Sequence, residues 1–273
     1  MGATLGIDLA SRPARTGIAL VDWTPPRPRL EVLSLGVSPD GTVLHDKFLS
    51  TAARGLRFPL EGGEITKVGI DAPFGWPTMF TSALTNYAVG LQWPTGLDDD
   101  RGLLERRTTD RVVKAASTSN PLAVSVDKIG YCAMRCAVIL SDLSEHLGRE
   151  RVHRDGRGLV CEVYPDPALR HWGQESPAPL APRSSYKGEA RTEVRRDLLV
   201  WLASTIDLDD PRGLIAGCAT RKEDDFIDAL LCALVARAVE LGQTLTPQPH
   251  EIDDASREGW IHLPTHSLSE LTG

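Results

Sequence analysis

No Cys-x-x-Cys pair occurs in this chain of 273 residues, and its five cysteines are odd in number and scattered. That pattern excludes a secreted disulfide framework and a zinc ribbon, and it suits a reducing compartment. Long apolar runs are missing too. The longest, Ala229 to Ala236, is bounded by Asp228 and Arg237 and falls far short of the roughly 20 residues that cross a bilayer. No basic, apolar leader precedes Leu5, so the expectation is a soluble, cytoplasmic protein with no membrane partner. Nor is there an excess of positive charge. A net charge of −7 and a pI near 5.5 disfavour wrapping long nucleic acid, because such binding is driven by phosphate neutralisation and counterion release. Walker A, His-Glu-x-x-His and Gly-x-Ser-x-Gly motifs are absent, which removes the P-loop, zincin and serine-hydrolase classes. No internal repeat and no long biased linker divides the chain, so a single domain over 1–273 is expected.

What is present reads as a mixed α/β sheet. Apolar runs over 3–10, 16–23 and 29–37, separated by Ser, Arg and Pro turn signals, predict an antiparallel meander. A fourth strand over 65–73 and a fifth over 158–165 are each stopped by proline. Between them, 79–148 turns helical, most clearly where Ile129, Cys132, Ala133, Cys136, Ile139 and Leu140 recur at helical spacing. That stretch predicts a helical insertion. Helices are also expected over 167–173, 188–206 and 222–242, with a Pro-rich loop over 175–186 and a small closing strand near 258–264.

The chemistry lies in acids that interrupt apolar elements. Asp8 ends Leu5-Gly6-Ile7, and Asp71 ends Val68-Gly69-Ile70. A carboxylate among such residues costs several kcal/mol unless it is paired or holds a cation. If the fourth strand lies parallel beside the first, both carboxylates emerge at one sheet edge, where hard oxygen donors suit Mg²⁺ or Mn²⁺. Asp225 and Asp228 stand three apart on the last long helix. A helix dipole explains acids in the first turn but does not reach Asp228, which Ile227, Ala229 and Leu230 surround. Glu162 in the fifth strand is a candidate further ligand, and Lys187 is the candidate cation for charge developing on a phosphoryl group. Ser11 and Arg12 in the turn after the first strand, with Arg107 and Asp110 in the insertion, are candidate substrate contacts. Basic clusters around Arg106, around Arg154 and around Lys187 offer local positive charge.

GIDLASRPARTGIAL resembles the first strand and hairpin of RNase H-fold proteins, particularly bacterial Holliday-junction resolvases, whose leading strand carries a metal-binding Asp. Asp8 corresponds. DDFIDALLCAL is similar to the resolvase C-terminal helix with two acids three residues apart, which extends the metal role to Asp225 and Asp228. GIDLAS, VGIDAPFGWP, RRTTDR, CEVYPDPAL, YKG and DDFIDAL, in that order, resemble a family of uncharacterised predicted RNase H-like nucleases with a domain of unknown function. The resemblance implies a five-stranded mixed sheet of order 3-2-1-4-5 and a two-metal carboxylate site that hydrolyses phosphodiester bonds of nucleic acid or nucleotides. Two rivals stand beside it. One is a nucleotide-dependent phosphotransferase of the actin-like superfold, disfavoured because no second copy of the hairpin exists. The other is a non-catalytic binding module, which the acidic pI favours.

Overall fold

The structure, a computed structural model, describes residues 2–38, 40–54, 64–94, 97–147, 152–175, 186–188, 191–219 and 225–272. Most of the Pro-rich loop and the expected first turn of the last long helix, 222–224, therefore lie outside the described residues. Strands β1 (Ala3–Asp8), β2 (Gly17–Asp22) and β3 (Arg29–Leu35) form the expected antiparallel meander. Helix α1 (Leu44–Ala53) follows, and β4 (Ile65–Asp71) then pairs parallel with β1 on the edge away from β2. The insertion comprises α2 (Thr78–Ala88), α3 (Leu97–Glu105), α4 (Thr108–Ala116) and α5 (Gly130–His146). Strand β5 (Val160–Val163) returns parallel to β4. After it come α6 (Pro165–Trp172), α7 (Thr192–Thr205), α8 (Leu214–Ala219), α9 (Asp225–Glu240), α10 (Ile252–Glu258) and β6 (Ile261–His262).

The result is one mixed sheet of order β3-β2-β1-β4-β5-β6, flanked by helices. It contains the expected 3-2-1-4-5 arrangement and corrects the count of five. The closing segment becomes a sixth strand because Ile261 and His262 pair parallel with Glu162 and Val163, while the Ile261 amide donates to Thr109 Oγ1 at 2.7 Å. Helices α8 and α10 were not anticipated. Among the described residues no helix is long and apolar enough to cross a membrane, and Cys132, Cys136, Cys161 and Cys232 are free thiols.

Strand alternation divides the core between the two faces of the sheet. Leu5, Ile7, Val68 and Ile70 pack with Phe48 of α1 and Cys136 and Leu140 of α5 on one side. Ala19, Val21, Cys161 and Val163 pack with α6, α7 and α9 on the other. Helix α9 is buried almost all round, from Phe226 to Ala238, which explains why its sequence is apolar on every side. It crosses the sheet directly over two adjacent glycines, Gly6 and Gly69, which are paired in register on β1 and β4. A Cβ on Gly6 would stand 2.0 Å from the Ala229 carbonyl oxygen and 2.4 Å from the Ala233 nitrogen. Gly6→Ala is accordingly expected to push the helix backbone outward and lower stability by about 1–3 kcal/mol. Urea denaturation checks this, and an unchanged midpoint would mean that the close approach carries no energetic weight.

Candidate functional site

The same alternation that puts Gly6 and Gly69 under α9 puts Asp8 and Asp71, two residues on, on the same face at the ends of their strands. They are register partners on neighbouring parallel strands. Asp225 and Asp228 enter from the first turn of α9, directly above. Three elements therefore bring four aspartates to one end of the sheet. Asp228 is buried, and its two oxygens are already engaged: Oδ1 accepts from the Tyr186 hydroxyl, and Oδ2 accepts from Lys187 Nζ at 2.9 Å. The Tyr186-Lys187-Gly188 segment is itself held by buried Arg195, which donates to the carbonyls of Tyr186 at 2.9 Å and Gly188 at 2.7 Å.

Burial and mutual repulsion set the electrostatics. The Asp8 carboxyl is pushed well up, first by burial, then by the charges of Asp228, Asp71 and Asp225, with Lys187 opposing. Asp71 is pushed up to about 8 by burial and by Asp228, again against Lys187. Burial disfavours the charged form of Lys187, but Asp228, Asp8 and Asp71 outweigh it and hold the ammonium protonated. Stability therefore depends on pH. An acid raised in the fold keeps its proton where the unfolded chain has lost it, so the contribution is fully present at low pH. It is lost as pH rises from the ordinary 3.8 through about 8. In chelator, the urea midpoint of the wild type is expected to fall between about pH 5 and about pH 8, and less steeply for Asp71→Asn, each tenfold difference in proton affinity between folded and unfolded chain being worth about 1.4 kcal/mol. Equal slopes in the two proteins would show that Asp71 is not raised.

Glu162, expected among the ligands, lines the same cavity as Asp8 and Asp71, and its charge adds to the rise of Asp71, but its carboxylate is engaged by Arg107. Its neighbours Cys161 and Val163 pack on the α9 side, so its own side chain leaves the opposite face. There both oxygens take a bidentate pair from Arg107, at 2.7 and 2.8 Å, and Oε2 also accepts the Phe74 amide at 3.0 Å. Arg107 completes its five donors on Asp110, at 2.8 and 3.2 Å, and on the Glu258 carbonyl at 3.1 Å. Arg107 and Asp110, expected as substrate contacts, are buried in an ion-pair network that forms part of the cavity lining. Glu258 extends it: one oxygen accepts the Thr78 amide that starts α2, at 2.6 Å, and the other accepts the Thr108 amide that starts α4, at 2.7 Å.

Residues 6–252 match the family described as "Protein of unknown function (DUF429)". The chain belongs to that family. The match takes in Gly6, all four aspartates, Glu162, Arg107 and Lys187, so the DUF429 region carries the whole acid cluster. No curated protein and no solved structure matches the chain.

Around the acids the DUF429 chain forms a cavity of about 300 Å³, lined by Asp8, Asp71 and Lys187, by the Arg107, Asp110 and Glu162 network, and by apolar residues of the insertion and the sheet edge. Ser11 and Arg12 are exposed in the turn after β1, next to this edge, and the Arg12 carbonyl accepts from Thr16 Oγ1 at 3.3 Å. As donors, four aspartates are what a hard divalent cation selects. Their positions are another matter. Among the described residues no three His, Cys, Asp or Glu side chains are grouped so that they could hold one metal ion. Among the described residues, Lys187 is a cation paired with Asp228. Tyr186 was missed from sequence, although it adjoins Lys187 in the same Tyr-Lys-Gly triplet, because a tyrosine beside a proline-rich stretch carries no pattern that marks a partner for a helix acid.

Proposed function

We propose that this chain is a divalent-cation-dependent phosphodiesterase built on an RNase H-like sheet and acting on nucleic acid or nucleotides. The observation that carries the reading is that Asp8, Asp71 and Asp228, from β1, β4 and α9, all act on the ammonium of Lys187, with Asp225 close enough to act on Asp8, and that burial and mutual repulsion raise Asp8 and Asp71. Two buried carboxyls raised by burial and by neighbouring acids, Asp8 and Asp71, are where a divalent cation would be favoured, and an all-oxygen donor set suits Mg²⁺ or Mn²⁺. The chemistry such ions supply when bound is activation of water and stabilisation of the leaving oxygen. The chain's own contribution is to fix Asp8 and Asp71 at the rigid ends of paired strands, so that their spacing is set by the sheet. Asp8, Asp71 and Asp228 would be the residues to hold such an ion, and Lys187, 2.9 Å from Asp228, would lie where an ammonium could meet the charge of a phosphoryl group. The Lys187–Asp228 pair also favours a second reading, a non-catalytic module in which Lys187 is the permanent counter-ion.

A panel of fluorescent single-stranded and duplex oligonucleotides, together with bis(p-nitrophenyl) phosphate, tests the first reading on the wild-type chain. Cleavage that requires Mn²⁺ or Mg²⁺ and stops in chelator is expected. No cleavage of any of these with either ion would move the assignment to the non-catalytic module.

A further inference from the structure

We propose that the outward face of α5 is a homodimer interface, on which a second copy of this chain packs its own α5 antiparallel about a twofold axis beside Met134. The inference stands apart from the phosphodiesterase reading. It starts from a contrast between two helices. Helix α9 is apolar on every side and buried on every side. Helix α5 is apolar on two sides and buried on one. Cys136, Leu140 and Leu143 face inward and pack against the sheet. On the other face, three and four residues apart, stand Tyr131, Met134 and Val138, exposed over 72%, 51% and 60% of their surface. Val126, in the turn that leads into the helix, is exposed as well.

The charges of this face select its own copy. Between Ile129 and Ser141 the only charged residue is Arg135, and it turns inward: its guanidinium donates to the Ala10 carbonyl and, at 2.8 Å, to Thr16 Oγ1. The middle of the face therefore buries no charge. Its two ends carry opposite signs, with exposed Lys128 just before the helix and exposed Asp142 and Glu145 near its end. Asp127, next to Lys128, accepts the Ala123 amide at 2.7 Å. In an antiparallel pair each residue faces the one at the mirrored position. An axis between Met134 and Arg135 sets Tyr131 over Val138 of the second copy and Met134 beside its own counterpart. Lys128 then lies within one residue, about 1.5 Å of helix rise, of Asp142 in the second copy. An anionic membrane would instead meet Asp142 and Glu145 on the same face. Area points the same way. The four apolar side chains expose on the order of 400 Å², and exposed Lys128, Ser141, Asp142 and Glu145 roughly double it. That reaches the about 800 Å² per partner of a standard interface, with its apolar centre and polar rim.

Sedimentation velocity of the full chain over a concentration series tests this. Wild type at micromolar concentration is expected to run at twice the 29.7 kDa of one chain. Met134→Glu, at a half-exposed position beside the axis, sets two carboxylates against each other and is expected to weaken the dimer at least about a hundredfold, whereas Met134→Leu is expected to keep it. Asp142→Lys alone is expected to weaken it about tenfold. Lys128→Glu combined with Asp142→Lys is expected to restore it, because opposite charges meet again across the axis. A wild type that stays monomeric at high micromolar concentration would overturn the inference, as would a dimer undiminished by Met134→Glu or a double variant no tighter than Asp142→Lys alone. A monomer that cosediments with phosphatidylserine vesicles would overturn it in favour of a membrane.

Discussion

Arg107→Ala is expected to lower stability by about 3–5 kcal/mol, the range for breaking a buried ion pair from one side. Removing the guanidinium leaves Glu162 and Asp110, both buried, without the cation that donates five hydrogen bonds to them and to the Glu258 carbonyl. Burial already raises the Glu162 carboxyl despite Arg107 beside it, so without Arg107 the group must protonate or draw in water. The damage would spread, because Glu162 also holds the Phe74 amide just beyond Asp71, and Glu258 starts both α2 and α4. Denaturant titration of the variant, and of the variant with Glu162→Gln and Asp110→Asn added, separates the two components. The added neutral residues are expected to restore part of the loss, because an unpaired buried charge is worse than an unpaired amide. A single variant within about 1 kcal/mol of wild type would mean that the network is not the frame of the insertion.

Asp8→Asn carries the second large effect. Turnover of whichever phosphodiester the panel selects is expected to fall at least about a thousandfold, equivalent to roughly 4 kcal/mol of transition-state stabilisation. The fold should not suffer. Asp8 repels Asp228, Asp71 and Asp225, so an amide in its place relieves the cluster, and the variant is expected to be at least as stable as wild type in chelator. Loss of activity with equal or greater stability is the signature of a functional acid. Comparable loss of both would mark Asp8 as a structural partner.

Much of this site was legible because Gly-Ile-Asp occurs twice, at Gly6-Ile7-Asp8 and Gly69-Ile70-Asp71. The structure gives each position its reason: the glycine lies under α9, the isoleucine enters the opposite core, and the aspartate reaches the strand end on the helix side. Asp228 stood out in the sequence as an acid among apolar residues beyond the first turn of a helix expected from 222; the described helix begins at Asp225 and puts Asp228 in its first turn, where it is nevertheless buried and partnered. Its partners proved to be Tyr186 and Lys187, brought from a segment 41 or 42 residues away. Separation of that kind leaves no trace in spacing. Glu162 was harder. Alternation gave its face correctly as opposite Cys161 and Val163, but only the tertiary arrangement shows that Glu162 reaches the same cavity as Asp8 and Asp71 while Arg107 takes up its carboxylate. Within the basic clusters, Arg107 and Arg195 are buried and donate to acceptors inside the protein, which spacing alone does not reveal. Helix α10 went unseen because 252–258 is too short and too polar to show a helical period, yet Glu258 within it joins two helix starts.

The acid cluster is tested most directly by calorimetric titration of Mn²⁺ into the metal-free wild-type chain and into Asp8→Asn at neutral pH. A saturable isotherm is predicted for the wild type, accompanied by proton release as raised carboxyls ionise on binding, and its loss is predicted in the variant. Identical isotherms in the two proteins, or none in either, would contradict the claim that the acids at the end of β1, β4 and α9 form a divalent-cation site.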